Sequence, residues 1–488
     1  MTRLRPLATA LGVVTLAALV ACDTSSPTDP GIDPAISESL DASLAVAPAA
    51  PRSWYVAPNG SDANPGTATL PFRTVQKGVN RAAASDTVVV QAGTYALTTG
   101  VLIQKKFGTP AAPFVLRGNG AAILRDPTGK SLLWSGLVNV KNSTNVVVTG
   151  LTLQNSGFFG VMIQSANRVT VQGVTSTTSG ASALYALSSY NIKVYNNDFS
   201  NFCYLGAYGR GITCQEGISI VSVDTFDVAE NLVHDARQTG SSVQPGGGEG
   251  IDVKEASKHG YVRYNKVWNL VQLGIYIDAW DKTLEDVEVA GNRVWNTAAG
   301  ITIASEEGGT VRNVRVHDNL VYRNGYDGIE ISGYGKNGLR ENIAIYGNTT
   351  SYNGYTANKP PYCKLWGCGD YGTGIRVETT NIRNSRIHDN ISYQNATTVM
   401  ESAASATNAV IDNNVVYPVG KSTWAPEKLG SRPIKVDPLF VFPGSNDFHL
   451  RSTSPAIRRA IGGDPLNQDA DRFTRSVHPT ELGAFIYR

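Results

Sequence analysis

Six short strings in the middle of the chain share one form: Gly217-Ile-Ser-Ile, Gly250-Ile-Asp-Val, Gly274-Ile-Tyr-Ile, Gly300-Ile-Thr-Ile, Gly328-Ile-Glu-Ile and Gly374-Ile-Arg-Val. Period-two alternation puts the aliphatic residues of each string on one face of a strand and the residues between and after them on the other. Stacked on one another, the strings line up two outward columns. The first reads Ser219, Asp252, Tyr276, Thr302, Glu330, Arg376, and the second Val221, Lys254, Asp278, Ala304, Ser332, Glu378. Glu255, Trp280 and Glu306 follow at strand ends. Like charges at coil spacing repel, so columns so rich in acids are costly unless they are used or counter-charged. One chemistry follows from spacing alone. Asp252 and Asp278 are one coil and two residues apart, about 8 Å between Cα atoms at ~4.8 Å per coil and ~6.7 Å per residue pair. That falls within the ~6.5–9.5 Å carboxyl spacing of inverting glycosidases. Tyr276 and Trp280 would then offer a sugar-stacking surface, or pack against an inserted loop.

The elements that must position these residues form a repeat. Between residues 140 and 420 alternating apolar strings such as VVVTGLTL, IKVYNNDF, VEVAGNRV and VRVHDNLV recur. Their marked positions are Gly150, Gly173, Asn197, Asn231, Asn265, Asn292, Asn319, Asn348, Asn390 and Asn414. The spacing has a near-constant minimum with occasional longer intervals, as a β-solenoid gives when loops are inserted at a corner. The Asn column marks a turn where a residue tolerant of left-handed backbone hydrogen-bonds its neighbours in adjacent coils. The fold class is therefore all-β, a right-handed parallel β-helix. Length alone would suggest about three domains at ~150 residues each, but a solenoid fills the same length as one elongated unit. The expected organisation is an N-terminal cap and first coil over 53–95, the β-helix over 96–420 and a C-terminal capping segment over 421–488. Val75, Val79 and Ala82 have helical spacing and predict a capping helix from Thr74.

With 42 Lys+Arg against 40 Asp+Glu and no basic stripe, nothing points to a nucleic-acid partner. Arg3 and Arg5 precede an apolar stretch from Leu7 to Val20, too short for a comfortable membrane span. The stretch ends in Leu19-Val20-Ala21-Cys22, which resembles the lipobox of bacterial lipoproteins, with Cys22 as the lipidated residue. Residues 1–21 thus read as a signal peptide, and 22–52, rich in Ser, Pro, Asp and Ala, as a flexible tether. The expected localisation is the bacterial cell envelope, lipid-anchored at the outer membrane or cell surface. Cys203, Cys214, Cys363 and Cys368 remain, an even number in an oxidising compartment. The favoured reading is two local disulfides, Cys203–Cys214 and Cys363–Cys368, although sequence leaves connectivity open.

The segments Trp54-Tyr-Val-Ala-Pro-Asn-Gly-Ser-Asp, Pro71-Phe-Arg-Thr-Val-Gln-Lys-Gly and Asp86-Thr-Val-Val-Val-Gln-Ala-Gly-Thr-Tyr95 resemble the opening of bacterial right-handed β-helix proteins of the polysaccharide-lyase type. Asp437-Pro-Leu-Phe, Asp447-Phe-His-Leu and Ser454-Pro-Ala-Ile are similar to their C-terminal tail. Gly248-Glu-Gly-Ile-Asp-Val-Lys254, with Tyr261-Val-Arg-Tyr-Asn265 after it, resembles the central motif of the alginate-lyase and chondroitinase-B family. The resemblance implies that Lys254 is the general base and Glu249 a calcium ligand. Glu216 stacks one coil from Glu249, so two carboxylates could share a hard cation. The family carries an Arg one coil after its Lys; Asp278 stands there in this chain and would hold Lys254 protonated, leaving Arg210 as a candidate replacement cation. The expected function is a polysaccharide lyase acting on an acidic glycan, and the expected state is a monomer, since a solenoid of this length is self-sufficient in core. Tyr276 would be the proton donor, and Asp252, Asp278, Glu330, Arg376, Trp280 and Glu306 would line the groove. An inverting hydrolase using Asp252 and Asp278, and a non-catalytic glycan-binding β-helix, are the alternatives. The six His form no site by spacing, and His234, His317 and His388 belong to the repeat.

Overall fold

The computed structural model describes residues 50–132, 134–203, 215–236, 247–358, 372–396, 398–402, 409–419, 429–461, 468–475 and 480–487, with the backbone alone at 356 and 398–402. The expected leader and tether up to residue 49, Cys22 as the expected lipidation site, Arg210, Cys214, Cys363 and Cys368 lie outside these residues, and the expected disulfide pairings with them. Cys203 is buried.

Alternation does what it predicts. The Ile and Val residues of the six strings, Ile251, Val253, Ile275, Ile277, Ile301 and Ile303 among them, are fully buried in one continuous core. Their strands belong to an eleven-stranded parallel sheet in which each strand pairs only with those of the coils before and after. Ile218–Val221, Ile251–Lys254, Ile275–Asp278 and Ile301–Ala304 pair in unbroken register. Each coil then continues through a longer strand such as Lys258–Arg263 and a three-residue strand such as Lys266–Trp268, both in a second parallel stack. The Gly that opens each string is required by crowding: a Cβ at Gly274 would lie 2.2 Å from Val294 and 2.6 Å from the Gly300 carbonyl. From Pro51 to Arg488 the chain makes up one unit.

The Asn column is a buried amide ladder. Asn265 Nδ2 donates to Asn292 Oδ1 at 3.0 Å and to the Val228 carbonyl at 2.9 Å, and the pattern repeats from Asn197 to Asn414. The left-handed residue, however, is the one before it: Asn196, Glu230, Tyr264, Asp318, Asp389 and Asn413 all have positive φ. Gly150 and Gly173 occupy that left-handed position, one residue out of step with the ladder. The bend is made at the left-handed residue, and the next side chain then turns into the core, where only an amide satisfies both neighbours. A second ladder, Thr297, Asn324, Asn353 and Asn395, runs along the following corner.

The helix spans Val75–Arg81, shorter than its spacing suggested, with Thr74 as N-cap. It buries Val75 and Val79 in the same core as Val56 and Val88. The C-terminal residues run back along the side of the solenoid. Phe440, Phe448 and Phe485 pack with Tyr322, Ile391 and Tyr393, Arg475 pairs with Asp318 at 2.5 Å in full burial, and Arg472 reaches Glu230.

Candidate active site

The outward columns stand as alternation places them. Tyr185, Ser219, Asp252, Tyr276, Thr302, Glu330 and Arg376 are in one register, and Val221, Lys254, Asp278 and Ala304 in the next. Lys254 is the only cation in the first four coils of these columns from Ser219 onward. Its Nζ lies 2.6 Å from Glu216 Oε1 and 3.0 Å from Asp252 Oδ2. Asp252 reaches it from two residues earlier on the same strand, and Glu216 from the end of the loop one coil before. Glu216 Oε2 also accepts from Ser219 Oγ at 2.6 Å. Burial alone would depress the Lys254 ammonium, but Asp252 and Glu216 lift it well above the usual lysine range. Asp278, expected from its register to hold the lysine, is instead engaged by the backbone N–H groups of Trp280 at 3.0 Å and Glu306 at 3.1 Å.

The acids exceed the cations that face them. Burial, and then the charge of Glu216, push Glu249 up to about 8. Burial lifts Asp252 well above its ordinary range despite Lys254. Glu249 Oε2 and Asp252 Oδ1 are buried oxygens with no hydrogen-bond partner. Among the described residues, no three His, Cys, Asp or Glu side chains stand ready-arranged as a metal cage; the space between Glu216 and Asp252 is taken by the lysine. Two unsatisfied carboxylate oxygens beside a third carboxylate are nonetheless a donor set of the kind calcium takes.

Tyr276 is buried and its hydroxyl donates to Glu306 Oε1. Burial, Asp278 and Glu306 hold its phenol well above the usual range, so it keeps its proton. Further along, Arg376 lies 3.3 Å from Asp327 and 3.1 Å from Glu378. Burial, then Asp327 and Glu378, lift Glu330 well above the ordinary carboxyl range.

One site residue escaped the sequence reading. Arg340 is fully buried behind this face. It donates to Asn337 Oδ1 and the Gly338 carbonyl, both at 2.5 Å, and to the Ser332 carbonyl. Its Nε has no partner. Burial pulls it down to about 10, against the opposing pull of Tyr276, Asp278, Glu330 and Glu378. The signal was present: Arg340 aligns with Val311 and Ile382 in an inward column, where an apolar residue belongs.

The histidines stay apart, as expected. His234, His317 and His388 lie in the other stack, each with Nδ1 on the Asp that follows it, at 2.8, 2.8 and 2.9 Å. Trp268 and Trp295 are stacked ring on ring between His234 and Tyr322. A cavity of about 330 Å³ between Arg263, Tyr264 and Arg472 also lies outside the columns, and its charges are matched by Asp227 and Glu230.

The family profile described as the right handed beta helix region matches residues 115–292 and 249–425. The uncharacterized protein YwoF of Bacillus subtilis (strain 168) is 26% identical over 456 residues, 82% of this chain and 91% of its own. Pectate lyase PEL9 of Emericella nidulans is 28% identical over 181 residues, 33% of this chain and 43% of that protein. The crystal structure of pectate lyase Pel9A superposes with a TM-score of 0.50 at 15% identity, over 90% of this chain and 96% of that one.

Proposed function

Starting from the fact that the chain belongs to the right-handed β-helix family, we propose that it is a polysaccharide lyase that cleaves an acidic, uronate-containing glycan by β-elimination. The observation that carries this reading is the buried group around Lys254: one ammonium held by Glu216 and Asp252, with unpartnered oxygens on Glu249 and Asp252. The likeness to pectate lyases in sequence supports it.

Lys254 is an acid in the arrangement described, because two carboxylates hold its proton. It becomes a base when Glu216 and Asp252 turn to another partner, since loss of both charges leaves a buried amine whose ordinary range is lowered by desolvation. Glu216, Glu249 and Asp252 would be the calcium ligands. Bound there, calcium would neutralise a uronate carboxylate and acidify the proton beside it. Lys254 removes the C5 proton, the C4–oxygen bond breaks as the C4–C5 double bond forms, and Tyr276 gives its proton to the leaving oxygen. Glu306, hydrogen-bonded to that phenol, orients it. Arg376 and Glu330 would bind sugar further along the groove, and the buried charge of Arg340 offsets the acids from behind.

A second reading has one observation in its favour. Burial raises both Asp252 and Asp278, but Asp278 accepts two backbone N–H bonds that oppose the rise, while Asp252 stands well above its ordinary range despite Lys254. That is the base and acid division of an inverting hydrolase. The leader ending at Cys22 supports export and a lipid anchor at the cell envelope, and the continuous core supports a monomer.

The test is a panel of uronate and neutral glycans offered to the purified protein with calcium and with a chelator. Activity on a uronate polymer should vanish on chelation and return with calcium. Lys254→Ala should lose at least about a hundredfold in kcat; full activity in that variant would remove the base assignment.

A further inference from the structure

Most aromatic rings on this solenoid have their faces covered. Trp268 and Trp295 are stacked between neighbours at 5.0 Å, and Tyr346 lies between His317 and His388. Trp280 and Tyr334 differ: they are 45% and 69% exposed, and among the described residues neither ring packs on another ring or cation. Both leave the same edge of the eleven-stranded sheet.

Their positions are equivalent. Asp278 pairs with Ala304, and Ile303 with Ile331, which sets Ser332 one coil beyond Ala304. Two residues further on in each coil stand Trp280, Glu306 and Tyr334. The local turns agree: the Trp280 N–H donates to Asp278 Oδ1 at 3.0 Å and the Tyr334 N–H to Ser332 Oγ at 3.3 Å. The turns also stack, with the Gly309 N–H on the Trp280 carbonyl and the Lys336 N–H on the Glu306 carbonyl. The edge of this face is thus a column of aromatic, carboxyl, aromatic, with the central Glu306 hydrogen-bonded to Tyr276 in the outward column beside it.

We propose that Trp280 and Tyr334 form a stacking rail for an extended glycan chain that runs along the solenoid axis. This rests on the glycan reading above but not on the identity of the base. The two rings stand two coil rises apart, about 10 Å, which suits alternate sugar rings of an extended pyranose chain. A sugar presents a C–H face to an aromatic ring and hydroxyls at its edge, and the groove beside these rings offers Glu306, Asp278 and Ser332 as hydroxyl partners. A rail parallel to the axis also lays the chain across successive coils, from the Lys254 group toward Glu330 and Arg376.

The experiment measures binding of polygalacturonate, mannuronan and xylan oligosaccharides of increasing length, by tryptophan fluorescence and calorimetry. It uses the full-length protein and its Trp280→Ala and Tyr334→Ala variants. Tyr190→Ala, an exposed aromatic on the other stack, is the control. Affinity for at least one series should rise in a step when the chain becomes long enough to reach both rings. Each groove variant should lose about two- to tenfold and the step, which is ~0.5–1.4 kcal/mol per stacked ring; Tyr190→Ala should bind like the parent. Groove variants that bind all series like the parent, or a parent that binds none of them, would overturn the rail. Repeating the binding with Lys254→Ala separates the two ideas: turnover retained there sinks the lyase reading, and the dependence on Trp280 and Tyr334 still decides the rail.

Discussion

Lys254 shows why a residue's register does not settle its chemistry. Strand alternation places it on the outward face beside Asp278, yet its four-carbon side chain turns back to Glu216 one coil before and to Asp252 on its own strand. Asp278 is unavailable to it because two backbone N–H groups of the neighbouring turns already hold that carboxylate. The columns were legible in the sequence because period two leaves no choice of face. The partners were not, because they depend on side-chain reach and on turn backbone. Arg340 was legible in principle as a charge in a column of Val311 and Ile382. At this scale the sharpest prediction concerns Tyr276. Its phenol keeps its proton at neutral pH, so as donor to the leaving oxygen it is in the required state. Tyr276→Phe should lower kcat by about 10²-fold or more with little change in KM, measured by initial rates on the active polymer. A change in KM alone would make Tyr276 a binding residue.

The elements of this protein are defined as much by what joins the coils as by the strands. Each amide of the Asn ladder satisfies a backbone carbonyl of one coil and the amide of the next, all in full burial. Asn292→Ala leaves buried groups on both sides unpaired and should destabilise by about 1–3 kcal/mol for each such group, read from denaturant unfolding. A surface-like cost of a few tenths would contradict the ladder's role. The recurrence of Asn made the ladder visible in sequence. The one-residue offset of the left-handed bend was not visible, because Gly150, Gly173 and Asn are all tolerated there. His317 sits at the same corner. Burial would depress it, but the hydrogen bond to Asp318 and the Glu288 carboxylate 3.4 Å from Nε2 lift it from 6.5 to about 9. A raised histidine contributes stability that is complete below pH 6.5 and is lost as pH climbs through 9. Unfolding profiles should therefore show the parent losing stability relative to His317→Gln across that window; parallel profiles would show that His317 is not charged in the folded state.

At the scale of the whole molecule, one face of the solenoid carries more buried acids than cations around Lys254, although the formal net charge is only +2. A solenoid makes that possible, because each coil adds one outward residue to every column. The sequence showed the repeat and its direction. It did not show that residues 440–487 fold back along the side, since that path is set by buried contacts such as Arg475 with Asp318 that join distant parts of the chain. A face whose outward columns run across several coils suits a polymer, and its excess of acids is the ground for the calcium proposed above. The chemistry itself is decided by the product. Incubation of the purified protein with polygalacturonate and alginate in calcium, followed by ultraviolet absorbance and reducing-end assay in parallel, separates elimination from hydrolysis. β-Elimination predicts that every new reducing end is matched by one unsaturated uronate, and that both disappear in Lys254→Ala. Reducing ends released without unsaturated product would contradict it and make Asp252 and Asp278 the working pair.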